Sequence, residues 1–289
     1  MKLWQSLAFV EPDQIVDLAR CAEECGFHGV LLSDHLIFPE KLTSTYPYAP
    51  DGRPMFDGTV PFPDPWVTMG AMAAVTTRLH FATLVYVLPL RDPFDVAKAV
   101  GTAALLSNDR VVLGVGAGWM REEYEAVGVD FGTRGRRFDE MISVMRALWT
   151  GRMVEHHGEI FDFGAMQMSP VPAKPPPIFI GGVSEAALRR AARVGDGWMG
   201  SGNTPEEVPG VLARLRALRR EYGREHEPFT PIVPLKARLD LDLLRRMEQE
   251  HGLTESVSYP LQFALGPRST LAAKRDFLRR MADELVSKL

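Results

Sequence analysis

The sequence predicts an α/β protein, a (β/α)8 TIM barrel with insertions at its C-terminal mouth. Short apolar runs alternate with helix-period segments from end to end, the pattern of parallel strands joined by crossover helices. Eight such runs can be counted, the number that closes a barrel. The chain has 289 residues, 46% hydrophobic and 24% charged, a length at which one such barrel commonly forms. One domain spanning residues 1–289 is therefore expected.

The strands fall at Lys2–Phe9, Gly29–Ser33, Leu79–Val87, Val111–Val115, Ile178–Ile180, Gly197–Met199, Ile232–Arg238 and Val257–Phe263. Prolines at 231, 234 and 260 stand at or within the last two, where each removes a ladder donor. Helices show as apolar stripes at helical spacing: Ile15, Leu18, Ala19 and Ala22; Phe138, Met141, Ile142, Met145 and Leu148; Val208, Val211, Leu212, Leu215 and Leu218; Phe277, Leu278, Met281 and Leu285. These stripes read as core contacts.

Three stretches exceed a minimal strand-loop-helix repeat, and insertions after barrel strands line the mouth where ligands bind. Leu36–Pro65 carries seven prolines with Tyr46, Tyr48, Phe56 and Phe62, and reads as an ordered aromatic lid. Arg121–Arg137 holds Glu122, Glu123 and Tyr124, then Arg134, Arg136 and Arg137. Gly151–Pro177 contains a hairpin around Val154–Phe163 and ends in a stiff triple proline.

Two strands run into glycine-rich corners followed by helices, Val111–Trp119 and Ile178–Ser184. Such a corner lets the backbone approach a ligand and aims the first helical N–H groups at an anion. The pair points to a large, phosphate-bearing cofactor. The first corner is not the dinucleotide fingerprint, because Gly114, Gly116 and Gly118 alternate and Trp119 occupies the place of the third glycine. On a strand these glycines share a face, which suits either a ligand or the crowded interior of a barrel.

A net charge of −4 argues against nucleic acid as the partner. Cys21 and Cys25 are the only cysteines and no Cys/His cluster has metal-site spacing, so no metal is expected. Neither a signal peptide nor a long apolar span is visible, which predicts a cytosolic protein with no membrane partner.

His35 is the foremost candidate for chemistry. It follows Ser33 and Asp34 at the end of the second strand, where it can hydrogen-bond a ligand oxygen or move a proton near neutrality. Asp34 reads as an orienting residue for the histidine or a turn. Adjacent Ser, Asp and His on an extended chain point in alternating directions and cannot form a relay, which removes the hydrolase reading. Asp109, Asp139, Glu140 and the Glu122–Glu123 pair read as helix-end or surface charges, and His156 and His157 as exposed hairpin residues.

Taken together, GFHGVLLSDHLIFPE, LVYVLPLRDPFDVAKAV, RVVLGVGAGWMREEYEAVGVDFGTRGRRFDEMISVMRALW and PPPIFIGGVSEAALRRAARVGDGWMG resemble the luciferase-like oxidoreductase superfamily, and within it the deazaflavin branch that uses coenzyme F420. The resemblance covers about residues 1–200. It implies a cofactor ring at the C-terminal mouth beside Asp34 and His35, backed by a non-proline cis peptide near Leu84-Val85. It further implies that Gly116, Ala117 and Gly118 border the ring or its side chain, and that Gly181, Gly182, Val183 and Ser184 hold the phosphate. A homodimer formed through barrel helices is the family habit.

One departure matters. Sugar-phosphate dehydrogenases of that branch carry a glutamate acid/base where this chain has Trp119, which offers a stacking face to an apolar substrate instead. The expected activity is hydride transfer between F420 and a small, largely apolar organic substrate, with His35 and Trp119 at the reacting end. Arg134, Arg136, Arg137, Lys174 and Arg189 are cations available to an oligoglutamate tail. The alternatives are an FMN-dependent monooxygenase using reduced flavin and oxygen, and a non-catalytic deazaflavin-binding barrel.

Overall fold

Parallel pairing closes the chain into a cylinder in the computed structural model, which describes residues 1–289. In chain order the strands are β1 (Lys2–Ser6), β2 (Gly29–Leu32), β3 (His80–Thr83), its short continuation β4 (Tyr86–Val87), β5 (Val111–Gly116), the hairpin strands β6 (Val154–His157) and β7 (Asp162–Met166), β8 (Ile178–Gly181), β9 (Gly197–Met199), β10 (Thr230–Pro234) and β11 (Glu255–Ser258). β1 pairs with β2 on one side and β11 on the other, and β3 pairs with β5, so the order returns on itself. The hairpin β6–β7 stands apart as its own antiparallel pair.

Helices alternate with these strands: α1 (Ile15–Glu24), α2 (Pro65–Ala73), α3 (Pro93–Ser107), α4 (Arg121–Ala126), α5 (Arg134–Leu148), α6 (Glu185–Val194), α7 (Val208–Glu221), α8 (Leu241–His251), α9 (Leu261–Leu265) and α10 (Leu271–Glu284). Local chemistry fixes several starts. Asp64 accepts from the N–H groups of Trp66 and Val67 ahead of Pro65, and Asp92 and Ser184 cap α3 and α6 in the same way. No helix is long and apolar enough to cross a membrane.

Apolar burial divides into two layers. A cluster of 54 residues lies mainly between strands and helices, which is where hydrophobic burial stabilises the fold most. Inside the cylinder a second cluster takes one residue from each barrel strand: Trp4, Leu31, Ala82, Val112, Phe179, Met199, Ile232 and Val257. The barrel is therefore packed through and its mouth has a floor. At the opposite end His28 and His80 stack at 4.5 Å with Trp4 edge-on to His28. Burial drives both imidazoles toward the neutral form, His28 down to about 3.

The last two strands differ from expectation. β10 begins at Thr230 and ends at Pro234, and beyond it Leu235 makes only an isolated bridge with Asn203. β11 begins at Glu255, a buried carboxylate that accepts from Lys2 and from Trp4 Nε1, and ends at Ser258. Pro260 then turns the chain into α9, so Leu261–Phe263 is helical rather than extended.

Candidate functional site

The mouth is organised from the end of β2. Asp34 is buried and accepts from the Val87 N–H at 2.9 Å and from both terminal nitrogens of Arg91 at 2.7 and 2.8 Å. Arg91 also donates to the Val87 carbonyl and lies over the Tyr86 ring at 4.3 Å. Burial works against the guanidinium charge, yet Asp34 holds Arg91 above the ordinary arginine range. Asp34 thus anchors the third-strand bulge rather than the histidine beside it.

That bulge contains a cis, non-proline peptide between Leu84 and Val85. It turns the Val85 side chain into the space that two glycines leave open. A Cβ on Gly116 would stand 2.5 Å from Val85 Cγ2, and one on Gly181 would stand 2.4 Å from Val85 Cγ1. Gly114 instead clears room for the Thr83 carbonyl and the Met199 sulfur, inside the cylinder. The bare faces of the two corners therefore seat a valine and pack the barrel, and Val85 becomes part of the cavity wall. Gly118 does adopt a left-handed φ of +69° and lies against Val87.

His35 projects from the next position. Its Nδ1 lies 3.1 Å from Glu123 Oε2, while Glu123 Oε1 accepts from the Leu36 N–H at 2.7 Å. Glu123 is 1% exposed, so it is no surface charge, contrary to the sequence reading. Its neighbour Glu122 also departs from that reading: it accepts from the N–H and hydroxyl groups of Thr43 and Ser44. Burial opposes its ionisation, but these donors bring its pKa down to about 2.

Glu122 thereby ties the lid to α4. The lid rings and Trp119 of the first corner together enclose His35: Phe56 at 5.0 Å, Phe62 at 5.1 Å and Trp119 at 5.8 Å between ring centroids. Tyr46 meets Trp119 edge-on at 5.0 Å. His35 Nε2 has no partner within the protein and the ring borders the cavity.

On the far side, β8 ends in Gly181 and Gly182, the latter at φ +110° with its N–H donated to the Met199 carbonyl. Ser184 caps α6 through the Ala187 N–H. The N–H groups of Val183 and Ser184 meet no acceptor in the chain, and both residues line the mouth, where free N–H groups at a helix start suit an anionic group. The predicted cations divide. Arg134 borders the cavity over the Phe131 ring. Arg137 turns away to the carbonyls of Pro89 and Arg91, Arg136 pairs with Glu159, and Arg189 with Glu185 and Glu221.

One cavity of about 690 Å³ unites these parts, bordered by Asp34, His35, Leu84 and Val85, by Gly116–Trp119 and by Gly181–Ser184. A second lobe of about 260 Å³ continues past Leu84, Val85 and Phe56 toward the ends of β9, β10 and β11. Among its lining residues, Phe9, Lys236, Tyr259 and Phe263 gave no sequence signal. Glu123 lies in the insertion that follows the first corner, and that place is the one sequence feature that sets it apart.

Comparison with known proteins agrees with this geometry. A family model described as luciferase-like monooxygenase matches residues 4–251. An uncharacterized protein of Mycobacterium tuberculosis is 39% identical over 275 residues, 95% of each chain. An F420-dependent glucose-6-phosphate dehydrogenase of Nakamurella multipartita is 32% identical over 282 residues, 95% of this chain and 76% of that one. Among solved structures, a monooxygenase of Streptomyces bottropensis superposes with a TM-score of 0.77 over 99% of both chains at 18% identity, a likeness of fold.

Proposed function

Because the chain belongs to the luciferase-like monooxygenase family and is an oxidoreductase, we propose that it uses coenzyme F420 to exchange a hydride with a small, largely apolar organic substrate. The observation that carries this reading is the single 690 Å³ space in which the Leu84-Val85 bulge, His35 and the unpaired N–H groups of Val183 and Ser184 meet. A ligand with a flat ring and an anionic arm matches that shape. The likeness to an F420-dependent relative over 95% of the chain supports the deazaflavin over FMN.

In this reading Leu84 and Val85 would support the ring, and Asp34, Gly116, Ala117 and Gly118 would border it. Gly181, Gly182, Val183 and Ser184 receive the phosphate, assisted by the positive end of α6. When bound, the deazaflavin supplies hydride chemistry at a carbon that reacts poorly with oxygen. Glu123 accepts from His35 Nδ1 and thereby fixes the ring so that Nε2 faces the cavity. Nε2 passes the accompanying proton to or from a substrate oxygen. Trp119 and the lid rings stack on the substrate and exclude water, holding the reacting partners in near-attack contact.

Titration of the purified protein with F420 and with FMN tests the proposal. Tighter F420 binding, with no oxygen consumed during turnover, is expected. Tighter FMN binding accompanied by oxygen uptake and an oxygenated product would replace it with the monooxygenase reading.

A further inference from the structure

The smaller lobe carries donors that nothing in the protein satisfies. They come from the ends of three neighbouring strands. After β9, the adjacent N–H groups of Ser201 and Gly202 meet no acceptor, and Gly202 is a buried residue at φ +91°. After β10 comes Lys236, an exposed lysine at the lobe's rim whose ammonium makes no ion pair or hydrogen bond with the chain. After β11 comes Tyr259, whose hydroxyl is buried without a partner.

These groups converge. A Cβ at Gly202 would stand 3.1 Å from the Tyr259 hydroxyl and 3.2 Å from Lys236 Cε, so the phenol and the lysine flank the gap that this glycine leaves. The lobe's other lining residues include Phe9, Tyr46, Met55, Phe56 and Phe263, and it contains no carboxylate. Burial lifts the Tyr259 phenol to about 12, which keeps it a hydroxyl donor. Successive backbone N–H groups in a turn that includes a left-handed residue form an anion-binding concavity. A buried hydroxyl without an acceptor, as at Tyr259, is rare unless a ligand or solvent supplies one.

We infer that this lobe receives an anionic oxygen group of the substrate, a carboxylate or a phosphoryl, held by Lys236, Tyr259 and the N–H groups of Ser201 and Gly202. The substrate is then amphiphilic: its apolar part lies among the lid rings and its charged end points away from His35. The inference names the substrate class at the same mouth and rests on the functional reading above only for where the reacting carbon lies.

Binding to the cofactor-free protein tests it separately from any question of F420. The probes are cinnamate and its neutral counterpart cinnamyl alcohol, followed by calorimetry at fixed ionic strength. Cinnamate is expected to bind about tenfold more tightly, as a charge-assisted set of donors implies. Lys236→Met and Tyr259→Phe should each erase most of that preference while leaving cinnamyl alcohol affinity and the melting temperature unchanged. Competition by acetate more than by inorganic phosphate identifies a carboxylate, and the reverse identifies a phosphoryl group. Equal affinity for the two probes, no binding of any anion, or a preference that survives Lys236→Met would overturn the inference. So would loss of F420 binding in Lys236→Met with cinnamate unaffected, since the lysine would then serve the cofactor.

Discussion

The two halves of the barrel mouth are built on opposite principles. From β2 to α4 every prominent polar group has a partner: Asp34 with Arg91, His35 with Glu123, Glu122 with Thr43 and Ser44. From β8 to β11 the donors of Val183, Ser184, Ser201, Gly202 and Tyr259 have none. The first half is pre-organised, its geometry fixed before anything binds, which is what a positioned proton-transfer group needs. The second half offers hydrogen bonds that only an incoming acceptor completes, which is what ligand affinity needs. Substitutions in the first half should therefore alter rate or stability, and those in the second half should alter affinity.

The largest effect belongs to His35→Ala, which should lower kcat by roughly 10²–10⁴ while the F420 Kd moves less than about threefold. A Kd that rises as kcat falls would break the division between the halves. Glu123→Gln should reduce kcat by about tenfold and displace the acid limb of its pH profile, and Glu123→Asp should restore part of both, because the carboxylate acts through the imidazole. A flat pH response would reduce Glu123 to a packing role.

Next comes Asp34→Asn, which leaves the Arg91 guanidinium buried without its counter-charge. A loss of about 3–5 kcal/mol is expected, seen as a fall in Tm on the order of 10 °C. In the other half, Gly182→Ala places a side chain at φ +110° and 3.1 Å from the Ala187 Cβ. F420 affinity should weaken by about tenfold with kcat at saturation little changed. Unaltered affinity would remove the second corner from the cofactor site.

The smallest effects sharpen the comparison through pH. Glu122, with its pKa near 2, should stay ionised and keep the lid tied throughout mild acid, so KM should stay flat to about pH 4, while Glu122→Gln, which does not titrate, should raise KM by the same factor across that range. His28 behaves differently. Its imidazole ionises at 6.5 when unfolded but only near 3 in the fold, so the unfolded chain binds more protons between those values. Stability should be full above about pH 6.5 and decline as pH falls toward 3. His80 is shifted in the same direction and adds to the loss, together a Tm decrease of several degrees.

Sequence periodicity located the barrel because apolar strands and striped helices are local signals, and it missed the seventh and eighth strand limits because proline effects depend on neighbours. Asp34 and His35 were legible from their place at a strand end. The bulge at Leu84-Val85 was legible only through family resemblance. The partnership of His35 with Glu123 joins residues 88 positions apart, and no composition or spacing predicts such a pair. The glycine corners were found with two readings of their bare faces left open, and the choice rested on a distant residue, since the group that fills the faces of Gly116 and Gly181 is Val85 from another strand.

The filled interior of the cylinder has a kinetic corollary. Eight side chains, one per strand, block any passage beneath the mouth, so whatever enters from above must leave the same way. Cofactor and substrate then share one doorway, so a bulky occupant of either lobe should slow exchange of the other, a mutual obstruction that pre-steady-state release rates would register.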